Sequence, residues 1–200
     1  MLPKEGEEDM PIKEIIVTVV SSSVFLIPVF GAMYLLRFLE LRQLGAYYLF
    51  AVYLCVVYRL TGPPDITYFR WDPDVSYIPF ISMVGDLRST VLNVALFLPL
   101  GIGLPFLWKW YEKFGQTVRF GFLVSLGIEV AQLFTYRATD VNDLITNVAG
   151  PALGYLMFKT LLPKGHEKKM NDAPMLLGIS CGVMFFAEPF LHGILYDMVK

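Results

Sequence analysis

Glu129 and Gln132 stand in the last part of an otherwise apolar segment. Arg137, Asp140 and Asp143 follow in a short polar turn, and Asn147 lies within the next apolar segment. These residue types do acid–base and binding chemistry. Carboxylates exchange protons or accept hydrogen bonds, arginine holds phosphate or carboxylate bidentately, and amides both donate and accept. A charged side chain near the middle of a bilayer costs about 2.5–3.5 kcal/mol on the lenient insertion scale, so acids inside apolar segments read first as functional. Asn93, Arg88 and Glu188 join the candidates on the same ground. Simpler roles exist for several of them. Asp140 and Asp143 fit as caps of the helix that starts there, where carboxylates satisfy free N–H groups. Asn93 and Asn147 fit as inter-helix hydrogen-bond glue. Arg137 fits as an interfacial anchor or as the partner of Glu129, and His192 as a packed or interfacial residue.

No catalytic or cofactor pattern is complete. There is no nucleophile elbow with a Ser-His-Asp order, no HExxH, and no calcium-loop spacing. Cys55 and Cys181, the two cysteines, lie in separate apolar segments and read as small buried hydrophobes. The expectation is no cofactor and no metal, and a protein that leans away from being an enzyme.

The elements that must position these residues are membrane helices. Of 200 residues, 56% are hydrophobic and 17% charged, and mean hydropathy is +0.56. A soluble domain is nearer a quarter charged. The fold class is all-α: a polytopic transmembrane bundle of about six membrane helices, forming a single integral membrane domain over residues 1–200. Net charge of −2 gives no case for nucleic acid. The acidic N-terminus lacks the basic start of a signal peptide, so the first apolar segment is expected to be retained.

The segments run Ile15–Leu36, Leu44–Leu60, Thr90–Trp108, about Val118–Tyr136, about Asp143–Leu162 and Ala173–Tyr196. Arg59 is expected to snorkel to the interface, and Trp108, Trp110 and Tyr111 to mark one. Ser21, Ser22 and Ser23 read as tolerated small residues. Gly121, Ser125, Glu129, Gln132 and Tyr136 fall on one helix face, small at one end and polar at the other. Glu188 and His192 share a face at i, i+4. The stretch Thr61–Ser89 is rich in proline and aromatics, including Tyr68, Phe69, Trp71, Tyr77 and Phe80, and reads as a long loop on the membrane surface.

Lysine and arginine concentrate in linkers 37–42, 109–117 and 159–172, which the positive-inside rule places in the cytoplasm of a multi-pass protein in the cell membrane. Glu129 then lies about seven residues, or roughly 10 Å, below the outer end of its helix. Asn93 and Asn147 enter from that same side. Glu188 sits at a comparable depth, with Arg88, Arg137, Asp140 and Asp143 at the rim. The expectation is one outer-leaflet polar pocket.

The ordered set Asn93–Leu107 (NVALFLPLGIGLPFL), Ser125–Phe134 (SLGIEVAQLF) and Arg137–Tyr155 (RATDVNDLITNVAGPALGY), with Tyr77–Phe80 (YIPF) upstream, resembles the VanZ-like family. The resemblance covers roughly residues 44–162, leaving 1–43 and 163–200 as additional membrane segments. Pro151, directly after Gly150, departs from the family pattern. The resemblance implies a bacterial envelope protein, and name-giving members are linked to teicoplanin-type glycopeptide resistance.

Three functions follow in order of preference. The first is a non-catalytic protein whose pocket binds a membrane lipid or a lipid-linked cell-wall precursor. The second is an enzyme on a lipid-linked substrate, with Glu129 or Asp140 as base and Arg88 or Arg137 holding a phosphate. The third is a small transporter or flippase, suggested by helices that contain Pro28, Pro99, Pro151 and Pro189.

Overall fold

The computed structural model describes residues 9–36, 38–62, 75–76, 86–134, 139–161 and 173–198. The helices are α1 (Asp9–Leu35), α2 (Leu41–Leu60), α3 (Leu87–Leu107), α4 (Phe114–Gln132), α5 (Val141–Leu161), α6 (Ala173–Gly182) and α7 (Glu188–Met198). A single π-helical turn, Val183–Ala187, joins α6 to α7, so the last apolar segment is one helix with a bulge. The two short strands β1 (Val75–Ser76) and β2 (Thr139–Asp140) form one parallel bridge. The chain is an all-α helical bundle and a membrane protein, as its composition requires. Among the described residues, four helices are long and apolar enough to cross a membrane: Ile12–Leu35, Gln43–Leu60, Leu87–Leu107 and Met175–Tyr196. The other two, α4 and α5, have 19 and 21 residues but carry more polar groups.

Local signals set the helix ends. The Asp86 side chain accepts from the Ser89 N–H at 3.0 Å and starts α3. Asp140 starts α5 the same way, accepting from the Asn142 N–H at 2.8 Å. Gly62 has φ of 82°, a left-handed conformation that ends α2 at low steric cost.

The chain forms two compact units, residues 1–69 with 174–200, and residues 70–173. In the first, α1 lies against α2 and α7. Its core includes Leu26, Phe30, Leu54, Tyr58 and Met184. The serines of α1 are more than small residues. Ser23 hydrogen-bonds Tyr48 at 2.6 Å, and Ser21 donates to Glu188 at 3.2 Å.

In the second unit, α3 and α5 pack backbone against backbone. A Cβ on Gly101 would collide with the Pro151 carbonyl, and one on Gly154 with the Leu98 carbonyl and the Gly101 Cα. Pro151 does not break α5, which runs unbroken from Val141 to Leu161. Its ring sits in the space left by Gly121 of α4, where an added Cβ would lie 2.5 Å from Pro151 Cγ. Small residues let membrane helices approach this closely, and here they also make room for a proline. Trp108 is 1% exposed, packed inside the fold. Trp110 next to it is exposed at 59%, under the Lys113 ammonium.

Gly154→Val is expected to lower the stability of the folded chain by about 1–3 kcal/mol, as overpacking does. Gly178→Ala, with open space around it, is expected to leave it unchanged or slightly raised. Thermal unfolding of the two variants in one detergent checks this.

Candidate functional site

Three helices of the second unit bring polar side chains together. The buried face of α4 comprises Thr117, Gly121, Val124, Ser125, Ile128, Glu129 and Gln132, the face that the spacing predicts as far as Gln132. Ser125, Glu129 and Gln132 are 0%, 5% and 5% exposed. The facing side of α5 buries Asn142, Thr146 and Asn147. Asn147 donates to the Ser125 hydroxyl at 3.1 Å, locking α5 to α4. Asn93, two turns into α3, donates to the Asp143 carboxylate at 2.8 Å. Such short side chains meet because the glycine contacts one to two turns further along hold the helix axes close.

The carboxylates gather around Glu129. Asp143 and Asp140 are its charged neighbours, and the Asp140 backbone N–H is its hydrogen-bonding neighbour. Asp140 is occupied in two ways, accepting from both the backbone N–H and the side-chain amide of Asn142 at 2.8 and 2.7 Å. The capping role of Asp140 is therefore present alongside its place beside Glu129. Asp143 instead turns toward α3. The bridge pairs Ser76 with Asp140 and Val75 with Thr139.

Of the predicted residues, the structure brings together Asn93, Glu129, Asp140, Asp143 and Asn147, with Gln132 on the same buried face. Arg88 is exposed in the first turn of α3. Arg137, Tyr136 and the loop aromatics Tyr68, Phe69, Trp71, Tyr77 and Phe80 lie outside the described residues. Glu188 belongs to the first unit, where Arg59 holds it with two contacts of 3.1 Å. Arg59 does not snorkel: its side chain is 14% exposed and turns inward to a fully buried carboxylate. The buried anion gives the guanidinium a charged partner at short range, with both carboxylate oxygens 3.1 Å from Nη2.

Sequence reasoning passed over Asn142 and Thr146 as site residues, and treated Ser125 only as a small residue. The signal for Ser125 was present, since it lies four residues before Glu129 on the same face. Among the described residues no group of three His, Cys, Asp or Glu side chains is arranged to hold a metal ion. A cavity of about 460 Å³ lies in the first unit, between α1 and α2. Its lining of Ile27, Phe30, Leu41, Leu44 and Tyr48 with two glycines is apolar, unlike the polar cluster around Glu129.

Comparison with known proteins adds family information. A sequence profile described as VanZ/LLP1 matches residues 45–162. The chain is also similar to Protein VanZ of Enterococcus faecium, with 28% identity over 141 residues, covering 69% of this chain and 85% of that protein. No solved structure matches. The matched stretch takes in most of α2 and the whole of helices α3, α4 and α5, so it includes Arg59 and every residue of the cluster around Glu129.

Proposed function

Because this chain belongs to the VanZ/LLP1 family, we propose that it is an envelope protein that binds the headgroup of a lipid-linked cell-wall precursor at the Glu129 cluster. The observation that carries this reading is the convergence of Glu129, Asp140 and Asp143 with Asn93 and Asn147 from three helices. Carboxylates and amide oxygens accept hydrogen bonds, so the cluster suits a ligand rich in donors: sugar hydroxyls, peptide N–H groups or an ammonium. Three acids close together disfavour a bare phosphate, and a phosphate would need Arg88 or Arg137 at the rim. The pairing of Val75–Ser76 with Thr139–Asp140 supports the reading by placing a second stretch of backbone beside Asp140.

In this proposal linkers 37–42, 109–117 and 159–172 face the cytoplasm and the cluster opens to the outer leaflet, where such precursors are consumed. The excess of lysine and arginine in those linkers supports that orientation. The glycopeptide link implied by the family resemblance makes teicoplanin susceptibility the first phenotype to measure.

Expressed at equal levels in a susceptible host, the natural chain is expected to raise the teicoplanin concentration needed to stop growth. Glu129→Gln and Asp143→Asn are expected to return it to the level of empty vector. Full protection by both variants would sink the proposal. For orientation, single cysteines at Thr139 and Gly165, in a background lacking Cys55 and Cys181, are read by an impermeant thiol reagent on intact cells. Labelling at position 139 and protection at 165 is the expected outcome; the reverse pattern would place the cluster on the cytoplasmic side.

A further inference from the structure

The first unit holds a second polar cluster, built from α1, α2 and α7. Glu14 and His192 lie outside the region that matches the family profile, as does Glu188; Arg59 lies inside it. The imidazole of His192 sits between two carboxylates. Its Nε2 is 2.9 Å from Glu14 Oε2, and its Nδ1 is 3.3 Å from Glu188 Oε1. Arg59 contacts both oxygens of Glu188 at 3.1 Å, and Ser21 donates to Oε1 at 3.2 Å. The π turn that precedes Glu188 is closed by the Glu188 N–H bonding to the Val183 carbonyl. Such bulges recur at functional sites, and this one fixes where the carboxylate enters the bundle.

Proton counting decides what the cluster holds. An ionised carboxylate only accepts, and a neutral imidazole has one donor and one acceptor nitrogen. A neutral His192 between ionised Glu14 and Glu188 would aim a ring lone pair at one of the two anionic oxygens. An imidazolium donates to both. The charges agree: Arg59 and a protonated His192 balance Glu14 and Glu188, whereas a neutral ring leaves one unbalanced negative charge in a cluster that includes the fully buried Glu188. Thr18 Oγ1, 3.4 Å from Nδ1, offers the competing arrangement, in which its hydroxyl donates to a bare nitrogen. That nitrogen would still face Glu188 with its lone pair.

We propose that Glu14, His192 and Glu188, neutralised by Arg59, form a proton-binding site, with the bound proton on His192 tying α1 to α7. With the proton bound each ring nitrogen is a donor, so losing the proton removes one of the two ties. Exposure falls along the cluster from Glu14 at 29% to Glu188 at 0%, so protons enter at the Glu14 end. There Tyr196 stacks on the His192 ring and Lys13 lies 5.1 Å over Tyr196. On the α2 side the facing titratable groups are Arg59, Tyr58 and Cys55, with Cys181 of α6 behind Cys55. The inference goes beyond the proposed ligand site and stands without it.

The chain has two histidines, so full-length protein carrying His166→Asn and labelled with 15N-histidine reports on His192 alone. At pH 7 both ring nitrogens are expected to be protonated, with no bare-nitrogen resonance, and this is expected to persist in Thr18→Val. Glu14→Gln is expected to bring back a bare-nitrogen resonance at the same pH. A bare nitrogen in the parent protein would overturn the proposal, because it would mean the Thr18 hydroxyl donates to a neutral ring. A ring that stays fully protonated in Glu14→Gln would overturn the two-carboxylate basis of the site.

Discussion

The contact of α3 with α5 through Gly101, Gly154 and Pro151 is the constraint on which the second unit rests. Lipid offers no hydrophobic drive to push helices together, so close packing and inter-helix hydrogen bonds must hold them. The glycines let the backbones touch. That closeness lets Asn93 reach Asp143 and Asn147 reach Ser125 with short, stiff side chains. Gly121 of α4 then receives the Pro151 ring, so the third helix is registered by the same residue that would otherwise disturb α5. Any side chain added at Gly101 or Gly154 separates the polar groups as well as the helices.

Much of this is written in the sequence at the level of single segments. The apolar runs give helix positions to within a few residues. The spacing of Gly121, Ser125, Glu129 and Gln132 gives the buried face of α4 directly, because helical periodicity is a local property. Partners between segments are not local, and there the sequence is mute. Arg59 reads as an interfacial residue from its place at the end of an apolar run. Its actual partner, Glu188, lies 129 residues away and is brought near by folding alone. Trp108 and Trp110 are indistinguishable by type and neighbourhood, yet packing buries one and exposes the other. Pro151 reads as a departure from the family pattern, and the glycine that accommodates it is on another helix.

The two polar clusters solve the same problem in different ways. In the first unit two carboxylates, Glu14 and Glu188, meet a guanidinium and an imidazole, a set whose charges sum to zero once a proton is bound. In the second, the described partners of the acids are amides and backbone N–H groups. Acceptor-rich groups held by three helices are suited to meeting donors from outside the chain. The ligand proposal rests on the convergence of Glu129 with its neighbours, and the proton proposal on the two contacts of His192.

The central claim is that the Glu129 cluster binds a donor-bearing lipid-linked headgroup, and native mass spectrometry of the full chain tests it most directly. The probe is a polyprenyl-linked precursor carrying sugar and peptide, with polyprenyl phosphate as comparison. The account predicts retention of the precursor over polyprenyl phosphate. It also predicts at least about tenfold weaker binding in Glu129→Gln and Asp143→Asn, a loss of about 1.4 kcal/mol. Equal retention of both lipids, or equal binding by the parent chain and the two variants, would contradict it.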